Sequence, residues 1–168
     1  MQEWISRTQF HDLTRPLIGL PVSRTWRGYG STIFFELGKL KTTERKRKDG
    51  TTSLYSRGQA SVMLEWSWRV ERPQSVLFGS DSENRRIAYQ LNKLQGLTVL
   101  DVTTEGRLPE LVLQLSSGHW VHSFTTVESQ QEWCLFLGHE PENPEDQPHR
   151  WIDSARAKLR LTTQESKK

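Results

Sequence analysis

A chain of 168 residues with a 34% hydrophobic share holds one globular domain with appendages, and seven Trp and six Phe supply the bulk for its core. Much of the formal charge of +3 sits in KLKTTERKRKDG, Lys39 to Gly50, which excludes a general nucleic-acid coat and leaves one local basic patch. A single cysteine, Cys134, excludes an intramolecular disulfide and a cysteine-built four-ligand metal site.

The N-terminus MQEWISRTQFHDL lacks a basic start followed by an apolar run, and about 18 consecutive apolar residues occur nowhere. These features place the protein in the cytoplasm with no membrane partner. Within that N-terminal stretch, Trp4, Ile5, Phe10 and Leu13 predict a short helix over Gln2 to Leu13, although their spacing fits a helical stripe only in part. Beyond Pro16, the turn Gly28-Tyr29-Gly30-Ser31 separates two predicted strands, Val22 to Arg27 and Thr32 to Leu37. In the second, Ile33, Phe35 and Leu37 share a face.

Residues 39–52 read as a mobile basic loop or the tip of a long hairpin, because clustered like charges repel and Asp49-Gly50 is a turn signal. A strand returns near Gln59. In SVMLEWSWRVE, Val62, Leu64, Trp66, Trp68 and Val70 alternate with Ser61, Glu65, Ser67, Arg69 and Glu71, and only Met63 breaks the period of two. That alternation predicts one strand with both tryptophans on the core face, rather than an aromatic platform.

Val76 to Phe78 forms a further short strand, and a helix over Asp81 to Gln95 follows. Ser80 and Glu83 have capping-box spacing, Ile87, Leu91 and Leu94 make the apolar stripe, and Gly96 suits a left-handed cap. Three strands then form a meander, LTVLDVTTEG, PELVLQLSSG and HWVHSFTT, with Leu111, Leu113 and Leu115 on one face. Glu132 to Gly138 fits either one more strand or the end of a helix begun near Glu128. Residues 139–150, with three prolines and four acidic residues, read as a linker that closes a domain over 1–138. The tail, 151–168, predicts a helix with Trp151, Ile152, Ala155 and Leu159 on one side, then a disordered end.

Chemical signatures are sparse. His119 and His122 point to opposite faces of a strand and do not chelate together, so no metal or other cofactor is expected. Cys134 has no neighbouring base in sequence and reads as a small buried apolar residue. The fragment GYGS lacks the rest of a phosphate loop and is better explained as a hairpin turn. Glu36, Glu65, Glu71, Asp101 and Glu110 fall on or beside strands as a solvated face, and no catalytic triad or zinc-protease pattern is present. Recognition surfaces remain: Lys39, Lys41, Arg45, Lys46, Arg47 and Lys48 suit phosphates or an acidic protein, and the tail suits its own domain or a partner's groove.

The order SVMLEWSWRVE, a short strand, a helix ending LNKLQG, then LTVLDV, PELVLQL and EWCLF resembles small uncharacterised bacterial β-rich proteins, some associated with toxin-neutralising immunity proteins. It spans roughly Gln59 to Leu137 and brings no catalytic residues with it. The expectation is an α+β protein: a twisted antiparallel sheet of about six or seven strands, one main helix on a face, and a C-terminal tail helix. The function expected is a non-enzymatic protein-binding module, immunity- or antitoxin-like or part of a bacterial defence or regulatory assembly. Nucleic-acid binding through residues 39–48 is one alternative, and a small-ligand or enzymatic site on the sheet is the other.

Overall fold

The computed structural model describes residues 1–128, 131–138 and 150–164, and at residues 43 and 45 the backbone only. Antiparallel strands dominate. A seven-stranded sheet has the order β1 (Gln2–Ile5), β14 (Lys158–Thr163), β13 (Arg150–Ala155), β12 (Trp133–Leu137), β6 (Ala60–Leu64), β3 (Ile33–Leu37) and β2 (Val22–Arg27). A five-stranded sheet has the order β8 (Ser75–Gly79), β7 (Ser67–Arg72), β11 (His119–Phe124), β10 (Glu110–Leu115) and β9 (Val99–Glu105). The remaining strands, β4 (Lys41–Lys46) and β5 (Thr52–Arg57), pair only with each other.

One hydrophobic cluster joins both sheets. Ile33, Phe35, Leu37, Val62, Leu64, Trp133, Leu135 and Ile152 enter it from the larger sheet, and Trp68, Val70, Leu111, Leu113, Leu115 and Val121 from the smaller. The period-two faces expected for β3 and β10 are therefore the buried ones. Two helices contribute to the same cluster. Helix α1 (Arg7–Thr14) inserts Phe10, whose ring meets Trp133 edge-on at 6.0 Å, and α2 (Asn84–Lys93) inserts Ile87 and Leu91.

The N-terminal segment divides differently from the sequence expectation. Gln2 to Ile5 is a strand because β14 offers it a partner edge, and the helix begins only after Ser6, whose hydroxyl and Gln9 form a reciprocal capping box. Helix α2 is shorter than Asp81 to Gln95 and lacks the expected box. Its N-cap is Glu83 without a side-chain bond, and the hydroxyl that engages the backbone there is Ser82, which accepts from the Gly79 N–H at 3.0 Å. Gly96 takes the left-handed conformation expected of it, at φ 85°.

Two further segments depart from the sequence expectation. The alternating run from Val62 to Val70 is two strands in two sheets, because the chain crosses from β6 to β7 at Glu65-Trp66. Trp66 turns that corner at φ 55° and is 49% exposed, whereas Trp68 is buried and donates its indole N–H to the Ser31 carbonyl at 2.7 Å. The tail is a hairpin, not a helix. Ala, Arg, Lys and Leu favour helix intrinsically, but β12 and β1 each present a strand edge, and pairing with them wins. Arg156 and Ala157 make its two-residue turn, both at positive φ, 49° and 60°, as a type I′ turn requires. The ambiguous segment at Glu132 to Gly138 is a strand, β12. Of the expected linker over 139–150, Arg150 begins β13 instead and residues 139–149 lie outside the described residues, as do residues 165–168 at the end of the tail.

Candidate functional site

The basic segment is the outer half of one long hairpin. β3 pairs with β6 up to Leu37 and Ala60, and β4 pairs with β5 from Lys41 and Arg57, so the same two strands continue past a crease at Gly38 and Gly58. Both glycines are required there. Gly38 has φ 78°, and a Cβ at Gly58 would sit 2.7 Å from the Leu37 amide nitrogen and closer still to its carbonyl oxygen. Beyond the crease the two strands form a ribbon.

Glu36 fixes the crease. Its carboxylate, buried on the outer side of β3, accepts hydrogen bonds from the Trp26 indole N–H (3.0 Å), the Gly58 N–H (2.9 Å) and the Ser61 hydroxyl. Arg57 Nη1 lies 3.9 Å from the same carboxylate. Burial pushes the Arg57 guanidinium down from its usual value; Glu36 opposes that shift and Arg24 adds to it. Glu36 therefore does not belong to a solvated sheet face, as its sequence context suggested. Arg24 donates to the Ser56 carbonyl at 3.3 Å, Gln59 Oε1 accepts from the Lys39 N–H at 2.9 Å, and Trp26 stacks on Phe34 beneath at 3.7 Å. The far end is closed as well. Asp49 accepts from both the N–H and the hydroxyl of Thr51, which holds its carboxyl below the ordinary value, and Arg47 N–H donates to the Thr51 carbonyl.

Of the residues singled out from sequence, Lys39, Lys41, Lys46, Arg47 and Lys48 lie exposed on this ribbon, and Arg45 sits opposite Ser53 in its register. Residues 39–57 carry seven Lys or Arg against two acidic residues, more charge than the net +3 of the whole chain, so the rest is slightly acidic. The tail candidates separate. Ile152 and Leu159 are core residues at 0% and 3% exposure, which removes them from any contact surface. Trp151 lies half-buried on the opposite side of β13, and Ala155 ends that strand beside the turn. They form no amphipathic face for a partner.

A second candidate site, a concavity of about 470 Å³, lies on the outer face of the five-stranded sheet. The register places Asp101, Gln114, Trp120 and Glu71 in one row across four strands, and Thr103, Val112, His122 and Arg69 in the next. One side is cross-linked: Arg69 bonds to Glu71 and lies over the Phe124 ring at 4.2 Å, and His122 Nε2 is 3.5 Å from the other Glu71 oxygen. Asp101 and Glu105 line the other side. Sequence alone could not show that Glu71 and Asp101 share this hollow, because the row is assembled by pairing between strands remote in the chain. Among the described residues, no group of three or more His, Cys, Asp or Glu is arranged to hold a metal ion, and no helix is long and apolar enough to cross a membrane.

Glu132 is fully buried, and neither of its oxygens has a hydrogen-bond partner among the described residues. Burial raises its carboxyl above the ordinary value, against the backbone N–H groups of Thr126, Val127 and Ser67, which oppose the shift without bonding to it. Cys134 is buried as expected, and burial, with Asp153 beside it, pushes its thiol well above the usual value. Asp153 itself is held by Arg160 through bonds of 2.9 and 2.8 Å.

Fold and site together define a two-sheet antiparallel β protein with a projecting basic ribbon and a separate, carboxylate-lined hollow. No family model matches the chain, and neither a curated protein nor a solved structure matches it.

Proposed function

We propose that this protein is a binding protein whose ribbon, residues 39–57, lies against the phosphate backbone of a nucleic acid. One observation carries the reading: the cationic run is held out on a two-stranded ribbon braced at base and tip, with Lys39, Lys41, Lys46, Arg47 and Lys48 all exposed. A solvated loop would need neither brace. A preformed cationic element avoids the entropy of ordering a flexible segment on binding.

The test is fluorescence anisotropy with labelled oligonucleotides across a salt series. If four cations neutralise phosphates, log K falls against log salt with a slope of about −3.6, roughly a 100-fold loss between 50 and 200 mM salt. Replacing Lys46, Arg47 and Lys48 together with alanine flattens that slope. Binding that is insensitive to salt, or unchanged in the triple variant, overturns the reading.

A protein partner, such as the toxin an immunity protein would neutralise, is the competing proposal. Of its two expected contact regions it retains the ribbon, which would then meet an acidic surface. It is favoured if the ribbon fails with nucleic acid and captures a protein whose binding depends on Lys46, Arg47 and Lys48. The carboxylate-lined hollow is the observation that keeps a small-ligand site on the sheet as a further reading, with Asp101, Glu105 and Trp120 as its contacts.

A further inference from the structure

The shape of the ribbon narrows its nucleic-acid partner, and we infer that it is double-stranded DNA, entered through the major groove. The inference rests on the nucleic-acid reading of residues 39–57 and adds the groove and the duplex form. Each strand of the ribbon has six residues, about 20 Å at the rise of an antiparallel strand. A two-stranded antiparallel ribbon fits the roughly 12 Å major groove of B-form DNA, whereas the deep, narrow major groove of an A-form RNA duplex does not admit it.

The two faces of the ribbon differ. Lys41 pairs with Arg57, and Tyr55 follows on the same side; Tyr55 and Arg57 are half-buried, with the guanidinium 4.7 Å over the ring. The opposite face bears Thr42, Glu44, Lys46, Thr52, Leu54 and Ser56, of which all but Ser56 are exposed. This face carries no aromatic ring. Recognition of a single strand depends on aromatic platforms for base stacking, and the outward face offers none.

What the face does offer matches base edges in a major groove. Leu54 is 72% exposed on a projecting element, an apolar group suited to the thymine methyl. Thr42 and Ser56 share a hydroxyl–hydroxyl bond of 2.7 Å and serve as donor or acceptor, Glu44 is suited to the cytosine amino group, and Lys46 to guanine. Arg47 and Lys48 at the tip and Lys39 at the base flank that face at both ends, where a groove-bound ribbon meets the phosphates.

The experiment compares one sequence as a labelled DNA duplex of about two helical turns, as the RNA duplex and as a single strand, at one salt concentration. Competition with methyl green, which occupies the major groove, and netropsin, which occupies the minor groove, accompanies it. The expected result is DNA-duplex binding tighter than either alternative by about tenfold or more, displaced by methyl green and not by netropsin. Leu54→Ala weakens binding to a thymine-rich duplex more than to one without A·T pairs. Equal binding to DNA and RNA duplexes, tighter binding to the single strand, or displacement by netropsin overturns the groove assignment, while the ribbon reading stands if the Lys46, Arg47 and Lys48 variant still loses affinity. Absence of binding to all three overturns both.

Discussion

Replacing Glu36 with alanine removes the acceptor that holds the ribbon's base, and the structure sets the size of the effect. Three donors lose their partner: the Gly58 N–H and the Ser61 hydroxyl, both buried, and the half-buried Trp26 indole, which has partial access to water. Each stranded buried donor costs about 1–3 kcal/mol. Arg57, 3.9 Å away, also loses the charge that offsets its burial. Against these losses stands the relief of no longer burying a carboxylate. Breaking one side of a buried charge-assisted network costs about 3–5 kcal/mol net, a large part of the 5–15 kcal/mol that stabilises a domain. Urea denaturation followed by tryptophan fluorescence measures the global loss. Limited trypsin digestion reads the ribbon separately, with faster cleavage at Lys41, Lys46, Arg47 and Lys48 in Glu36→Ala. Glu36→Gln, which keeps one acceptor oxygen, falls between the two. A loss under about 1 kcal/mol with unchanged tryptic cleavage would refute the reasoning.

Glu132→Gln is expected to stabilise the protein near neutral pH and to leave it unchanged below about pH 4.5. The folded carboxyl is raised above its unfolded value of 4.5, so the stability it contributes is present below that value and lost as pH rises through the folded one; thermal melts of both proteins across pH 4 to 8 check the sign. Cys134 should resist a thiol reagent such as DTNB in the native state and react fully in urea, because its thiol is buried and its ionisation disfavoured. Ile152→Ala should cost about 2–5 kcal/mol as a core truncation, and ending the chain at Gly138 should prevent cooperative folding, since it removes β13 and β14 from between β12 and β1; circular dichroism melts distinguish these from a dispensable tail. Gly58→Ala should destabilise the crease and raise tryptic cleavage of the ribbon, because the added methyl meets the Leu37 backbone.

Local pattern alone determined much of the secondary structure. Ile33, Phe35 and Leu37, and likewise Leu111, Leu113 and Leu115, reveal their buried faces because the side-chain period of a strand is a property of its backbone. The stripe of Ile87, Leu91 and Leu94 announces α2 for the same reason. The concentration of charge at Lys39 to Lys48 is also plain in the letters, and so is the turn at Asp49-Gly50. What the letters omit is anything that depends on a partner distant in the chain. The tail contains good helix formers and a turn without glycine, yet it is a hairpin, because the first strand and β12 supply the edges that it bridges. Trp66 and Trp68 share a sequence phase and part company only because the chain changes sheets between them. Glu36 reads as one more polar residue on a strand until Trp26 from β2, with Gly58 just ahead of β6 and Ser61 at its start, converge on it. Periodicity reports which face of an element is buried; which element it is buried against, and therefore which carboxylate is a brace and which cation is held out to solvent, is fixed only by long-range pairing.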